Sequence, residues 1–196
     1  MFHDIPIAVQ ERMAFLEAVD ARDRLDGTPK VQRLRQIPPE TGKLLALLAA
    51  CAPPGEKLEV GTSGGYSSLW LGLACRRRGE QLTTFELAAD KAELARQNIQ
   101  QAGMHEVIQV VQGDARLLLA QRRQVAFCFI DVEKEYYQAC YESVVPNLVS
   151  GGLLCADNAI SHAEELAPFL NRVFSDPRVD ALVVPVGKGV LLCRKN

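Results

Sequence analysis

No stretch of this 196-residue chain approaches the roughly 18 to 20 consecutive apolar residues that cross a bilayer, and its N-terminus lacks a basic start followed by an apolar core. Membrane insertion and secretion are therefore not expected, and a cytoplasmic location is. Charge of one sign is not in excess either. With 22 Lys and Arg against 24 Asp and Glu, the formal net charge is -2, which gives no overall attraction to nucleic acid or to an anionic membrane. The basic cluster Arg76 to Arg78 falls where a helix should end and reads as cations at the negative end of the helix dipole. The six cysteines, Cys51, Cys75, Cys128, Cys140, Cys155 and Cys193, include no C-x-x-C pair, and several sit in apolar runs. They read as reduced core residues. Repeats, low-complexity tracts and linkers are missing too, so residues 1–196, with 48% hydrophobic and 23% charged residues, should form a single domain.

What is present is a regular alternation. Residues 7 to 25 space Ile7, Met13, Leu16, Val19 and Leu25 as an amphipathic helix, and after IPPE the run TGKLLALLAAC predicts a second, mostly buried one. Over residues 1–50 these helices should pack onto the rest. Short apolar runs then follow: KLEVGT, QLTTFEL, VIQVVQGD, VAFCFIDV and GGLLCADN. They are separated by helical segments near residues 66–78, 88–102, 115–121 and 135–147. Such alternation predicts an α/β fold with a parallel sheet covered by helices on both faces. After a helix over SHAEELAPFLNRVFSD, the runs VDALVVPV and GVLLCRK lie too close together to be parallel neighbours, so the sheet should end in an antiparallel hairpin.

In such a sheet ligands bind beyond the C-terminal strand ends, and each of the five parallel runs brings an acid to that edge: Glu59, Glu86, Asp114, Asp131 and Asp157. Buried carboxylates are costly unless paired or bound to a cation, so their convergence points to a site. The stretch GTSGGYSS places Gly61, Ser63 and Tyr66 where a dinucleotide fingerprint has three glycines, and no Gly-Lys-Ser/Thr ending follows. It reads as a nucleotide loop or as a plain tight turn. Ser67 stands where free N–H groups of a helix start favour a carboxylate. Glu86 suits a ribose diol or a helix N-terminus, and Asp114 an adenine amino group or a cap. Asp131, Asp157 and Asn158 read as an oxygen-only donor set suited to Mg2+ or as ordinary strand-end turns and caps. Lys134 follows Asp131 by three residues and can be a surface lysine paired with Glu133 or Glu135. His162 reads as an acceptor or partner contact, or as a solvent-facing helix start.

Taken in order, LEVGTSGGYSSLWL, TFELAADKAELARQNIQQAG, FIDVEKEYY, GGLLCADN and DPRVDALVVPVGKGVLL resemble the cation-dependent O-methyltransferases related to the catechol and caffeoyl-CoA enzymes. The resemblance runs from about Ile37 to the C-terminus. It implies a Rossmann-like class I methyltransferase fold with a seven-stranded, mostly parallel sheet. It implies S-adenosylmethionine as cofactor, with Glu59 and Ser67 at its amino-acid part, Gly61 and Thr62 in its loop, Glu86 at the ribose and Asp114 with Ala115 at the adenine. Asp131, Asp157 and Asn158 would bind Mg2+ or a similar ion, Asp131 also lying near the cofactor's amino group, and Lys134 would be the general base for a small catechol-like acceptor. Separately, the apolar N-terminal helices lead us to expect a homodimer. Ser63, Val132, Glu133 and Lys188 depart from the usual pattern, and the segment after Asn158 is short, which opens the acceptor side. A nicotinamide-dependent oxidoreductase and a silent S-adenosylmethionine-binding interaction protein are the competing readings.

Overall fold

The computed structural model describes all residues from Met1 to Asn196. Two helices, α1 (Ile7–Asp23) and α2 (Pro39–Cys51), lead into the alternating part. This runs β1 (Glu56–Val60), α3 (Tyr66–Arg78), β2 (Leu82–Glu86), α4 (Ala89–Gln101), β3 (Ile108–Gln112), α5 (Ala115–Leu118), β4 (Val125–Ile130), α6 (Tyr137–Val144) and β5 (Leu148–Ala156). It closes with α7 (Ala167–Phe174), β6 (Val179–Val184) and β7 (Val190–Lys195). The strand order is β3-β2-β1-β4-β5-β7-β6, with β1 to β5 parallel and β7 antiparallel to both its neighbours. The expected seven-stranded sheet and terminal hairpin are thus present.

Strand alternation divides the core between the two faces. On β4, Phe127 and Phe129 join a cluster with Leu69, Leu71, Leu45 and Leu16, whereas Cys128 and Ile130 join one with Tyr137, Tyr141 and Phe169. Every residue of β4 is buried, as a central strand covered on both sides requires. Helix α3 is buried on all sides from Tyr66 to Cys75 because it lies between the sheet and α1 and α2. Its contact with α2 depends on Gly42, where a Cβ would stand 2.3 Å from the Trp70 ring.

Three expectations need correcting. The helix expected over residues 161–176 begins only at Ala167, and turns occupy the residues before it. Pro168 fits the first turn of a helix, where its missing N–H costs nothing, so it favours a start there and not an interior position. The segment 135–147 is one α-helix flanked by two short 3-10 turns, Lys134–Tyr136 and Val145–Asn147. The final hairpin turns over residues 185–189, so Gly187 and Lys188 are not its whole connection. The Arg76 to Arg78 cluster does close α3, with Gly79 left-handed at its C-cap and Arg78 paired to Glu80. All six cysteines are free, and five are buried.

Candidate active site

Strand register builds the site. Val60 is paired with Ile130 and Ile130 with Ala156, so the residues that follow, Gly61, Asp131 and Asp157, emerge side by side. Helices α3 and α6 leave β1 and β4 toward opposite faces, which makes this the switch point of the sheet. A cleft of about 750 Å³ opens there. Gly61 has a φ of 99°, and a Cβ on it would lie 2.1 Å from the Asp131 carbonyl oxygen. Only glycine lets the two strand ends approach this closely.

The acids at the first three strand ends behave differently from one another. Glu59 pairs in register with Phe129, so its side chain turns under α3, where it is fully buried and does not line the cleft. This corrects the expectation of five acids at the open edge. Ser68 donates to its Oε2 while Oε1 has no donor, and burial raises the carboxyl to about 7 against the opposing hydroxyls of Ser67, Ser68 and Thr84. Ser67, in the first turn of α3, does line the cleft. Thr62 also lines it and hydrogen-bonds Thr84 at 2.6 Å.

Glu86 accepts from the backbone N–H of Ser63 at 2.8 Å and from that of Ala88 at 3.0 Å, so it ties the glycine loop to the start of α4 while facing the cleft. Asp114 caps α5 through the Arg116 N–H and also grips the Arg116 guanidinium, which holds its carboxyl below the usual range. The capping alternative for Asp114 is therefore realised. Asp114 and Ala115 both border the cleft.

Beyond β4 and β5 the polar groups form one cluster. Asp131 Oδ1 accepts from the Asn158 amide at 2.9 Å and from the Tyr137 hydroxyl at 3.3 Å, and lies 3.8 Å from Lys134 Nζ. Lys134 Nζ also donates to the Val132 carbonyl at 3.1 Å and to the Tyr137 hydroxyl at 3.2 Å. It is not a surface lysine, for its side chain is 11% exposed and Glu133 is engaged by Arg35 instead. Burial lowers its pKa, opposed by the carboxylates of Asp131 and Asp157. Asp157, like Glu59, is fully buried and does not line the cleft, a second correction to the five acids expected at the open edge; neither of its carboxylate oxygens is hydrogen-bonded, and burial, reinforced by Asp131, raises its pKa. Asn158, left-handed at φ 67°, directs its NH2 toward Asp131 and Tyr137, and its oxygen accepts from Ser161 at 3.4 Å.

Sequence reasoning missed two parts of the site. Tyr137 is completely buried yet touches Asp131, Lys134 and Asn158 through its hydroxyl. The segment between α1 and α2, which reads only as a helix break, crosses the mouth as a strap. Ser63 Oγ donates to the Leu34 carbonyl at 2.8 Å, Lys91 to the Arg33 carbonyl at 3.3 Å, and Arg35 pairs with Glu133. Its polar composition between two helices was the available signal. His162 lies in the turns after Asn158, half-buried on the cleft wall and bonded to the Ser161 hydroxyl at 2.9 Å, so it is not a helix start.

The profile of a family described as O-methyltransferase matches residues 24–196. A catechol O-methyltransferase of Mycobacterium tuberculosis is 31% identical over 158 residues, covering 74% of this chain and 71% of that protein. A caffeoyl-CoA O-methyltransferase of Populus kitakamiensis is 27% identical over 183 residues, 81% of this chain and 77% of that protein. Among solved structures, an O-methyltransferase from Bacillus cereus in complex with S-adenosylhomocysteine superposes with a TM-score of 0.77 at 25% identity, covering 95% of this chain and 91% of that one.

Proposed function

The chain belongs to the O-methyltransferase family and is an S-adenosylmethionine-dependent enzyme; from that premise we propose that it methylates one of two adjacent hydroxyls on a small catechol-like acceptor with help from a divalent cation. The observation that carries the cation is Asp157. A buried carboxylate with both oxygens unpartnered, beside a second carboxylate, is stable as an anion only if positive charge is brought to it. Asp131 and Asp157 supply hard oxygen donors that fit Mg2+, and Asn158 would complete the set once its amide turned to present oxygen. Bound there, the cation would draw in two neighbouring acceptor oxygens and lower the pKa of the hydroxyl that reacts.

The remaining chemistry belongs to the chain's own residues. Gly61, Thr62, Ser67, Glu86, Asp114 and Ala115 line the part of the cleft that would hold S-adenosylmethionine. Ser67 and the free N–H groups of the α3 start suit the cofactor's carboxylate, with Glu59 acting on Ser67 from beneath. Glu86 keeps acceptor capacity for a ribose diol. Lys134, with its pKa lowered by burial, takes the proton from the reacting hydroxyl at Nζ, while Tyr137 and Val132 fix that nitrogen in place. The strap and the cleft walls orient the oxygen toward the methyl carbon. Catechol methylation that stops with a chelator and returns with Mg2+ tests this reading. Chelator-insensitive transfer would remove the cation from it.

The same reading includes a homodimer and a cytoplasmic protein. Exposed Ile7, Phe15 and Leu47 on α1 and α2 support the first, and six unpaired cysteines the second. Light scattering on the purified protein decides the oligomer.

A further inference from the structure

The open end of the cleft carries cations that the fold does not neutralise. Two backbone N–H groups, those of Ile160 and Ser161, donate to the Lys188 carbonyl at 3.0 Å, so the hairpin turn bearing Lys188 lies against the segment that leaves Asn158. The Lys188 side chain lines the cleft and makes no hydrogen bond or ion pair. Its charge is felt at Asp157 and at His162. From the strap on the other side, Lys30 also borders the cleft without a partner, and its charge is felt at His162 and Glu133. His162 thus lies within reach of both lysines, and of Lys134.

Of the other cations around the cleft, Arg35 is matched by Glu133, Arg24 by Asp20 and Arg116 by Asp114, while Arg33 and Lys91 donate to the backbone carbonyls of Thr28 and Arg33. At the same end Glu165 is the unpaired acid, and it is exposed. With Asp131 and Asp157 assigned to the cation, a neutral acceptor would leave two lysines facing it unanswered, and a cationic one would be repelled. Resting on the methyl-transfer reading above, we infer that the acceptor carries an anionic group, a carboxylate or phosphate, on the side remote from its two hydroxyls, and that Lys30 and Lys188 hold it.

The test is a substrate series with the full-length protein, S-adenosylmethionine and Mg2+: 3,4-dihydroxybenzoate, 3,4-dihydroxybenzyl phosphate, catechol and 3,4-dihydroxybenzylamine. The expected kcat/KM for one of the two anionic acceptors exceeds that of catechol by about tenfold, and the amine falls below catechol. The better of the two anions identifies the group. In the double variant Lys30→Glu, Lys188→Glu the order of acid and amine should invert, and calorimetry with S-adenosylhomocysteine present should show weaker binding of the preferred anion. The wild-type series stands alone if that variant does not fold. Equal kcat/KM for both anions, catechol and the amine overturns this inference while leaving methyl transfer intact. Methylation of none of the four, with S-adenosylmethionine bound, overturns both.

Discussion

At the scale of single residues, the proposed chemistry rests on Lys134 and Asp157. A base must be unprotonated, and burial lowers the Lys134 pKa, so turnover should rise with pH through a pKa below the ordinary lysine range. Lys134→Ala should reduce kcat by about 100-fold or more with little change in S-adenosylhomocysteine affinity, measured by steady-state kinetics and calorimetry. Full activity would remove it as the base. Tyr137→Phe keeps the buried ring but frees Lys134 and Asn158 from a shared partner, so kcat should fall by about tenfold and the rising limb of the pH profile should move. An unchanged profile would reduce Tyr137 to packing. Burial raises the Asp157 carboxyl in the folded state, as it does Glu59 from 4.5 to about 7. A carboxyl with a raised folded pKa favours folding at acid pH, and that contribution is lost as pH climbs from the carboxylate range toward neutrality. Mg2+ should therefore raise the melting temperature more at pH 8 than at pH 5. Asp157→Asn should abolish that response and stabilise the metal-free protein at pH 8 by about 2–4 °C. A Mg2+ shift that persists in this variant contradicts the assignment.

Among the elements, the β1–α3 loop and the strap decide how the cleft is closed. Gly61→Ala sets a Cβ against the Asp131 carbonyl in a left-handed backbone, which should cost about 3 kcal/mol of stability in urea titration and weaken S-adenosylhomocysteine binding. A neutral result would mean that β1 and β4 can separate without consequence. The loop was legible in the sequence as a turn with the wrong spacing for a dinucleotide. Its ligand was not, because five residues of backbone say little without Glu86 and the acids on the neighbouring strands. The strap was illegible for another reason. Residues 24–38 form no regular element, and their purpose appears only in long-range contacts such as Arg35 with Glu133 and Leu34 with Ser63. The late start of α7 has a local signal in Pro168, which the apolar spacing of SHAEELAPFLNRVF outweighed.

For the whole molecule, strand and helix alternation carried most of the fold, since a 3.6-residue period switching to short apolar runs leaves few arrangements with both sheet faces covered. The places of β2 and β3 on one side of β1, and of β4 and β5 on the other, were not legible from alternation and come from the structure. Strand-end acids were legible because their positions follow from strand length. Their depths were not, for Glu59 and Asp157 are buried by register and packing, while Asp114 is held at the surface by Arg116. Tyr137 was hidden because a tyrosine within an apolar helix reads as core, and only the tertiary structure brings its hydroxyl to Asp131 and Lys134. On our proposal these parts act together as a cation-assisted O-methyltransferase. This is tested most directly by mass-spectrometric detection of methylated catechol from purified protein and S-adenosylmethionine, with EDTA and then with excess Mg2+. Monomethylated product should form, disappear with EDTA and return with Mg2+. S-adenosylhomocysteine binding with no product from any vicinal diphenol, or product formation indifferent to EDTA, would contradict it.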